Sequence, residues 1–193
     1  MDDELVAAAV AGDRDAFASL YSRHRDRVFC VAVGILCDRE AALDVTQDVF
    51  CKLLGVLNRY DGHAAFTTWL HRVVVNACHD ILRRRTAVVT DDPHATAGHP
   101  EAGAEADVAA ALDVRDALAR VPLDQRSVLV LVDMVGFGYE DAAATLAIPV
   151  GTVKSRLARG RLRVAELMAT RESGTGNTTA GPTRPSHGGH RSG

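Results

Sequence analysis

"YEDAAATLAIPVGTVKSRLARGRLR", Tyr139 to Arg163, decides how the rest of the chain reads. Tyr139, Ala142, Ala143 and Leu146 recur at three and four residues, one face of a short helix. Ile148-Pro149-Val150-Gly151 then turns the chain, and a second helix runs to about Met168. At roughly 100° per residue, Val153, Leu157, Gly160, Val164 and Met168 fall on one side of it. Thr152, Ser155, Arg156, Arg159 and Arg163 fall about a third of a turn away, flanked by Lys154 and Arg161. Two short helices joined by a tight turn, the second one basic, describe a helix-turn-helix. Its second helix has an apolar seam for docking and a separate polar face for a partner.

The polar face holds Arg, Ser and Thr, the residue types that meet phosphates and base edges in a major groove. A solvated helix face usually interleaves acids at four-residue spacing, which adds stability. No acid stands between Asp141 and Glu166, while five Lys or Arg lie between Lys154 and Arg163. DNA binding follows from that contrast. It also needs an explanation, because the whole chain of 193 residues carries net charge -3.

The acids lie elsewhere. Residues 1–85 balance 11 bases against 12 acids, and residues 86–112 hold five acids and no base. The stretch 86–104 has Pro, Gly, Ala and Asp without helical periodicity and reads as a linker. Residues 171–193 lack any large apolar side chain and read as a disordered tail. His187 and His190 within it are expected to be solvated. With aromatics at only 5%, the core must be built from Ala, Val and Leu, which favours helices over strands.

The expected fold is therefore all-α, with two small helical domains joined by a flexible acidic linker. The first, 1–85, is a helical bundle. A helix over about 3–11 is broken at Gly12-Asp13. A long helix follows to about Cys37, with Phe17, Leu20, Tyr21, His24, Val28, Val31 and Ile35 on one face. Asp38 caps the next helix, whose apolar stripe is Val45, Val49, Phe50, Leu53, Leu54 and Leu57. A loop over 58–66 leads to a helix capped by Thr67 or Thr68, with Trp69, Leu70, Val73, Val74, Ala77, Ile81 and Leu82 inward. The second domain, 105–170, is a four-helix unit ending in the helix-turn-helix. Pro122 divides its first helix, about 105–120, from the next.

The first domain presents two surfaces of different character. Asp44, Gln47 and Asp48 share a polar face suited to a basic protein partner. Arg72, Asn76, His79 and Arg83 form a stripe ending in Arg83-Arg84-Arg85, suited to nucleic acid.

At these residues the chain resembles the extracytoplasmic-function sigma factors, small two-domain members of the sigma-70 family of bacterial transcription initiation factors. The resemblance covers about residues 3–168. It rests on four ordered segments: "DRDAFASLYSRHRDRVF", "ALDVTQDVFCKLL", "FTTWLHRVVVNACHDILRRR" and "GFGYEDAAATLAIPVGTVKSRLARGRLR". The wording of the last two is closest to sigma-M-like members from actinobacteria. The resemblance implies that Asp44, Gln47 and Asp48 dock on core RNA polymerase. It implies that the loop with Arg59 and Tyr60, together with Arg72, Asn76, His79 and Arg83, reads the minus-ten promoter element. Thr152, Lys154, Ser155, Arg156, Arg159 and Arg161 would enter the major groove at the minus-thirty-five element. The linker would thread toward the polymerase active-site channel. An anti-sigma protein, often membrane-anchored in this family, would hold the factor inactive.

The work is recognition, and no enzyme activity, cofactor or metal site is expected. Melting needs a base to leave the stack, at a few kcal/mol offset by a pocket and by aromatic or cationic contacts. Tyr60 is the expected stacking residue, and Trp69 is expected to pack inward. The alternatives are a stand-alone dimeric helix-turn-helix regulator and an enzyme built on His24, His71, His79 and the cysteines. The first would need a dimer interface or sensor domain, and the second matches no ligand or nucleophile spacing. Cys30, Cys37, Cys51 and Cys78 form no CxxC pair and read as small buried thiols. Gly160, on the seam, is expected where helices approach closely. No run of apolar residues is long enough to span a membrane, and the acidic start "MDDELVAAAVAGD" is unlike a secretory signal. A cytoplasmic location is expected.

Overall fold

A computed structural model of the chain describes the backbone of residues 2–91 and 114–175. Among these residues every regular element is helical. α1 spans Asp2–Val10, α2 Arg14–Leu36 and α3 Arg39–Val56. A single 3-10 turn, Leu57–Arg59, follows, then α4, Phe66–Asp91. α5 covers 114–119. α6, Leu123–Leu129, runs directly into a wide π turn, Val130–Met134. α7, Tyr139–Leu146, and α8, Val150–Thr175, complete the order.

The local signals explain the starts and stops. Asp13 caps α2, its Oδ1 accepting from the amides of Asp15 at 2.8 Å and Ala16 at 3.1 Å. Asp38 caps α3 through the Ala41 amide, as its position predicts. Such caps satisfy amides that have no partner within the helix. α4 starts at Phe66, so Thr67 and Thr68 lie inside its first turn and do not cap it. It also continues to Asp91, into the stretch read as linker. Helical geometry survives there because nothing between Thr86 and Asp91 breaks a helix. The rest of that stretch, and the part of the second domain before residue 114, lie outside the described residues. α8 likewise runs to Thr175, past the expected end near Met168. His187 and His190 lie outside the described residues.

The turn between α7 and α8 is a Schellman closure. Ala147 is left-handed, at φ 53°, and the Ile148 amide donates back to Ala143 O at 3.1 Å. Pro149 follows, and its carbonyl accepts from Thr152 and Val153. Val150 and Gly151, expected in the turn, are thus already helical.

The two halves share one core. Leu20, Val28, Val31, Ile35, Val45, Leu53, Leu70 and Val74 fill the N-terminal half. Val128, Val130, Leu131, Ala142, Val153 and Leu157 fill the C-terminal half, and the two sets join. At the junction α2 passes so close to the π turn that a Cβ on Gly34 would stand 2.7 Å from Val130 Cγ2. α4 adds a second inward side, where His71 meets the edge of Phe137 at 5.0 Å between centroids. His71, Val75 and Cys78 are buried there, although the expected stripe omits them. A helix wedged between two halves needs two apolar faces, and a reading of separate domains gives it one.

Other side chains depart from their expected places. Leu54 is 59% exposed and Tyr139 is 40% exposed. Cys51 is exposed rather than buried, Cys30 and Cys37 are half-buried, and only Cys78 is enclosed. All four thiols are free.

Candidate nucleic-acid and protein interfaces

α8 follows its predicted division. Val153, Leu157 and Gly160 are buried, and Val164 is half-buried. A Cβ on Gly160 would meet Leu129 Cδ1 at 2.8 Å, the close approach expected there. Lys154, Ser155, Arg159 and Arg161 are exposed, and Thr152 and Arg156 are partly so. Six candidate residues therefore lie together along the outer side of one helix.

They are not equally free. Arg161 forks onto Asp133, with Nε 3.0 Å from Oδ2 and Nη2 2.6 Å from Oδ1. Arg156 Nε lies 3.1 Å from Asp124 Oδ2. Arg159 donates to its own helix at Ser155 O, and Lys154 sits over the Tyr139 ring at 5.8 Å. The acids stand on α6 and the π turn, so the C-terminal half neutralises part of its own basic helix. Ion pairs this exposed are weak and screened by salt, and a phosphate can exchange with either carboxylate.

On α4, Arg72, Asn76 and Arg83 are exposed, and Arg83 is ion-paired to Asp80 one turn earlier. His79 is not with them. Its Nε2 lies 2.8 Å from Ser127 Oγ in the other half. Ser127 gives its own proton to Leu123 O at 2.8 Å, so Nε2 of His79 carries a hydrogen and donates. Burial, then the nearby Arg83 charge, lowers the His79 pKa.

In the loop, Arg59 is exposed and Tyr60 half-buried. The Tyr60 ring packs edge-on to Phe66 at 5.6 Å and tilted to Trp69 at 5.8 Å. Trp69 is only partly buried, while Phe66 is enclosed. The Tyr60 hydroxyl lies 2.8 Å from Asp3 Oδ1 and 2.9 Å from Ala64 O, and its one proton serves either. Loss of solvent and the adjacent Asp3 carboxylate push its pKa up to about 12.

Asp44, Gln47 and Asp48 are all exposed on α3, and Asp48 holds Lys52 at 3.2 Å. Gln47 also borders a groove of about 820 Å³ between α2 and α3, floored by Phe17, Tyr21, Phe29 and Phe50. Leu43, 51% exposed, and Leu54 rim it. The expected polar face thus has an apolar side as well. Two leucines beside an acidic face were the available signal. Arg23 and Arg27 were missed. They stand four apart on α2, a spacing that marks a cationic stripe despite the intervening Asp26.

Among the described residues no group of three or more His, Cys, Asp or Glu could hold a metal. No helix among them is long and apolar enough to cross a membrane.

Comparison with known proteins matches the same two halves. The sigma-70 region 2 family matches residues 20–88, and the sigma-70 region 4 family matches residues 111–164. The chain is 41% identical to the extracytoplasmic-function sigma factor SigM of Mycobacterium tuberculosis over 177 residues. That alignment covers 90% of this chain and 87% of SigM. It is 30% identical to the sigma factor CnrH of Cupriavidus metallidurans, covering 86% of this chain and 94% of CnrH. Among solved structures, CnrH in complex with the cytosolic domain of CnrY superposes with a TM-score of 0.68 at 27% identity, covering 88% of this chain and 97% of that one. RpoE of Bartonella quintana, in complex with the anti-sigma factor NepR, gives 0.67 at 27% identity, covering 79% and 96%.

Proposed function

The chain belongs to the extracytoplasmic-function RNA polymerase sigma factors, and on that premise we propose how its surfaces divide the work. It joins core RNA polymerase and directs it to a set of promoters. α8 reads the minus-thirty-five element with Thr152, Lys154, Ser155, Arg156, Arg159 and Arg161. The loop over 58–66 and the exposed side of α4 hold the minus-ten element, with Arg59, Tyr60, Arg72, Asn76 and Arg83 in contact. His79 joins them once the two halves separate. Asp44, Gln47 and Asp48 dock on the polymerase, with Leu43 and Leu54 adding apolar area beside them. The units are 1–85 and 105–170, connected by 86–104. The factor works in the cytoplasm, where its polymerase is.

The observation that carries this reading is the sidedness of α8. Its buried seam fixes which residues face outward, and from Thr152 to Arg163 those include five cations and two hydroxyls with no acid among them. The chain's net charge of -3 supports action within a larger assembly, whose other subunits supply further phosphate contacts. The related sigma factor RpoE carries the anti-sigma factor NepR in its solved complex. A regulator of that class is assigned to this chain as well.

Run-off transcription with purified core polymerase on genomic DNA fragments tests the reading. Addition of the protein is expected to produce discrete new transcripts and to co-purify with core enzyme. Tight binding of the protein alone to a palindromic site, without polymerase association, would overturn it.

A further inference from the structure

The first turn of α1 lies on a second cluster of cations, away from α8. Asp2 Oδ1 accepts from Arg23 Nη1 at 2.5 Å, and Asp2 Oδ2 lies 3.0 Å from His24 Nε2. Asp3 Oδ1 takes the Tyr60 hydroxyl. Asp2, Asp3, Arg23, His24, Arg27 and Phe66 line one pocket of about 460 Å³. It adjoins the loop over 58–66.

Three features make the pocket more than a helix start with acids on it. First, its cations come from α2, so the two aspartates reach across to another element. Carboxylate oxygens on a guanidinium occupy the positions that phosphate oxygens take, because both anions suit its planar donors. Second, His24 is only 4% exposed, and its Nδ1 has no hydrogen-bond partner. The nitrogen that meets Asp2 is Nε2, and since a carboxylate only accepts, Nε2 carries the hydrogen that an anion in this seat needs. Third, Asp3 holds the hydroxyl of Tyr60, whose half-buried ring belongs to an aromatic cluster with Phe66 and Trp69. One short helical turn thus covers both an anion seat and an aromatic surface, the two components of single-strand binding sites.

We propose that Asp2 and Asp3 are a built-in competitor for single-stranded DNA, occupying on Arg23, His24 and Tyr60 the seat that a backbone phosphate and its neighbouring base take in the melted promoter. This rests on assigning the loop over 58–66 to the minus-ten element. The pocket engages DNA only when the first turn of α1 moves aside or exchanges its carboxylates for phosphate. The Arg23–Asp2 pair is half-exposed, at 53% and 20%, so it holds the resting state without locking it.

Fluorescence anisotropy of labelled dT12 with the full chain at about 0.1 M salt tests this. D2N/D3N removes two negative charges and keeps the side-chain shapes. It is expected to bind dT12 roughly fivefold more tightly than the unaltered chain. Adding Arg23→Ala to D2N/D3N is expected to abolish the gain. Asp3→Asn alone, at an exposed position, is expected to give about half the effect on a logarithmic scale and guards against loss of α1. Equal binding by the unaltered chain, D3N and D2N/D3N, including none by any, overturns the proposal. So does a gain that persists without Arg23. The underlying assignment fails separately, if Arg59→Ala leaves run-off transcription unchanged.

Discussion

The guanidinium of Arg126, on α6, donates from Nη1 to the backbone carbonyl of Ile35, at the end of α2, at 2.8 Å. Its Nη2 donates to Ala119 O at 2.8 Å and Val121 O at 3.0 Å. The residue is 9% exposed. The charge therefore sits among carbonyls near helix C-termini, where the backbone dipoles favour a cation. It joins the N-terminal half to the C-terminal half at a point where neither half alone would supply all three acceptors.

Arg126→Met is expected to destabilise the chain by about 2–4 kcal/mol. It removes charged hydrogen bonds worth about 1.5–3 kcal/mol apiece and leaves buried carbonyls unpaired, partly offset by the apolar replacement. Urea unfolding followed by circular dichroism measures it. A loss below 0.5 kcal/mol, by the same order-of-magnitude reasoning, would mean that water replaces the guanidinium.

Three histidines make the fold acid-sensitive. His24, His71 and His79 all have pKa values below the ordinary 6.5, each chiefly through burial. Asp2 opposes the shift at His24, and the Thr67 carbonyl opposes it at His71. The folded state therefore binds fewer protons than the unfolded one as pH falls below 6.5, and stability drops over that range. Thermal melts should show a constant Tm above about pH 7.5 and a falling one from 6.5 downward. His71→Gln should flatten the acid side.

The left-handed Ala147 invites a stabilising change. An L-residue there costs about 1 kcal/mol that glycine does not. Ala147→Gly is expected to stabilise the chain by about 0.5–1 kcal/mol, less the entropy glycine loses on folding. Its side chain is exposed, so no packing is lost. Differential scanning calorimetry reads the shift.

Two glycines at close approaches should respond unequally to alanine. At Gly34 the new Cβ meets both Val130 methyls, at 2.7 and 3.0 Å, on a stiff β-branched side chain. Gly34→Ala is expected to cost about 1–3 kcal/mol. At Gly160 the obstacle is Leu129, at 2.8 Å to Cδ1, which has more freedom to turn. A helix gains about 1 kcal/mol from Ala over Gly at either position, so the freedom of Leu129 is what should make Gly160→Ala cost less than Gly34→Ala. Paired urea titrations decide the order.

Surface variants should separate the two proposed interfaces. Arg159→Ala is expected to lower run-off transcription about fivefold to tenfold, from roughly 1–1.5 kcal/mol of lost DNA contact, with polymerase binding intact. Asp48→Arg should weaken polymerase binding by a similar factor without changing α8. Equal loss of polymerase binding by both would refute the division.

The helix-turn-helix was legible because each of its signals is local. The seam through Val153, Leu157 and Gly160 follows from spacing, and the Asp38 cap follows from residue type. The ion pairs Arg156–Asp124 and Arg161–Asp133 join residues 28 or more positions apart along the chain, and no periodicity reports such partners. Arg126 was invisible for the same reason. In sequence it reads as an ordinary surface arginine on a short helix, and only the folded arrangement of Ile35, Ala119 and Val121 around it gives it a role. His79 looked like part of a polar stripe with Arg72, Asn76 and Arg83. Its polarity was real, but Ser127 is what it answers.

The π turn at Val130–Met134 has a geometric consequence of its own. Its backbone closes over one residue more than an α-turn, with the Val135 amide donating to Val130 O at 3.0 Å. Forcing the same residues into regular α geometry would turn everything downstream by about 100°. Asp133 would then swing off Arg161, although Arg126 and Val130 kept their places against α2. The wide turn acts as a vernier between two engagements, one to the N-terminal half and one to α8. A uniform helix of 3.6 residues per turn would bring only one of them into register.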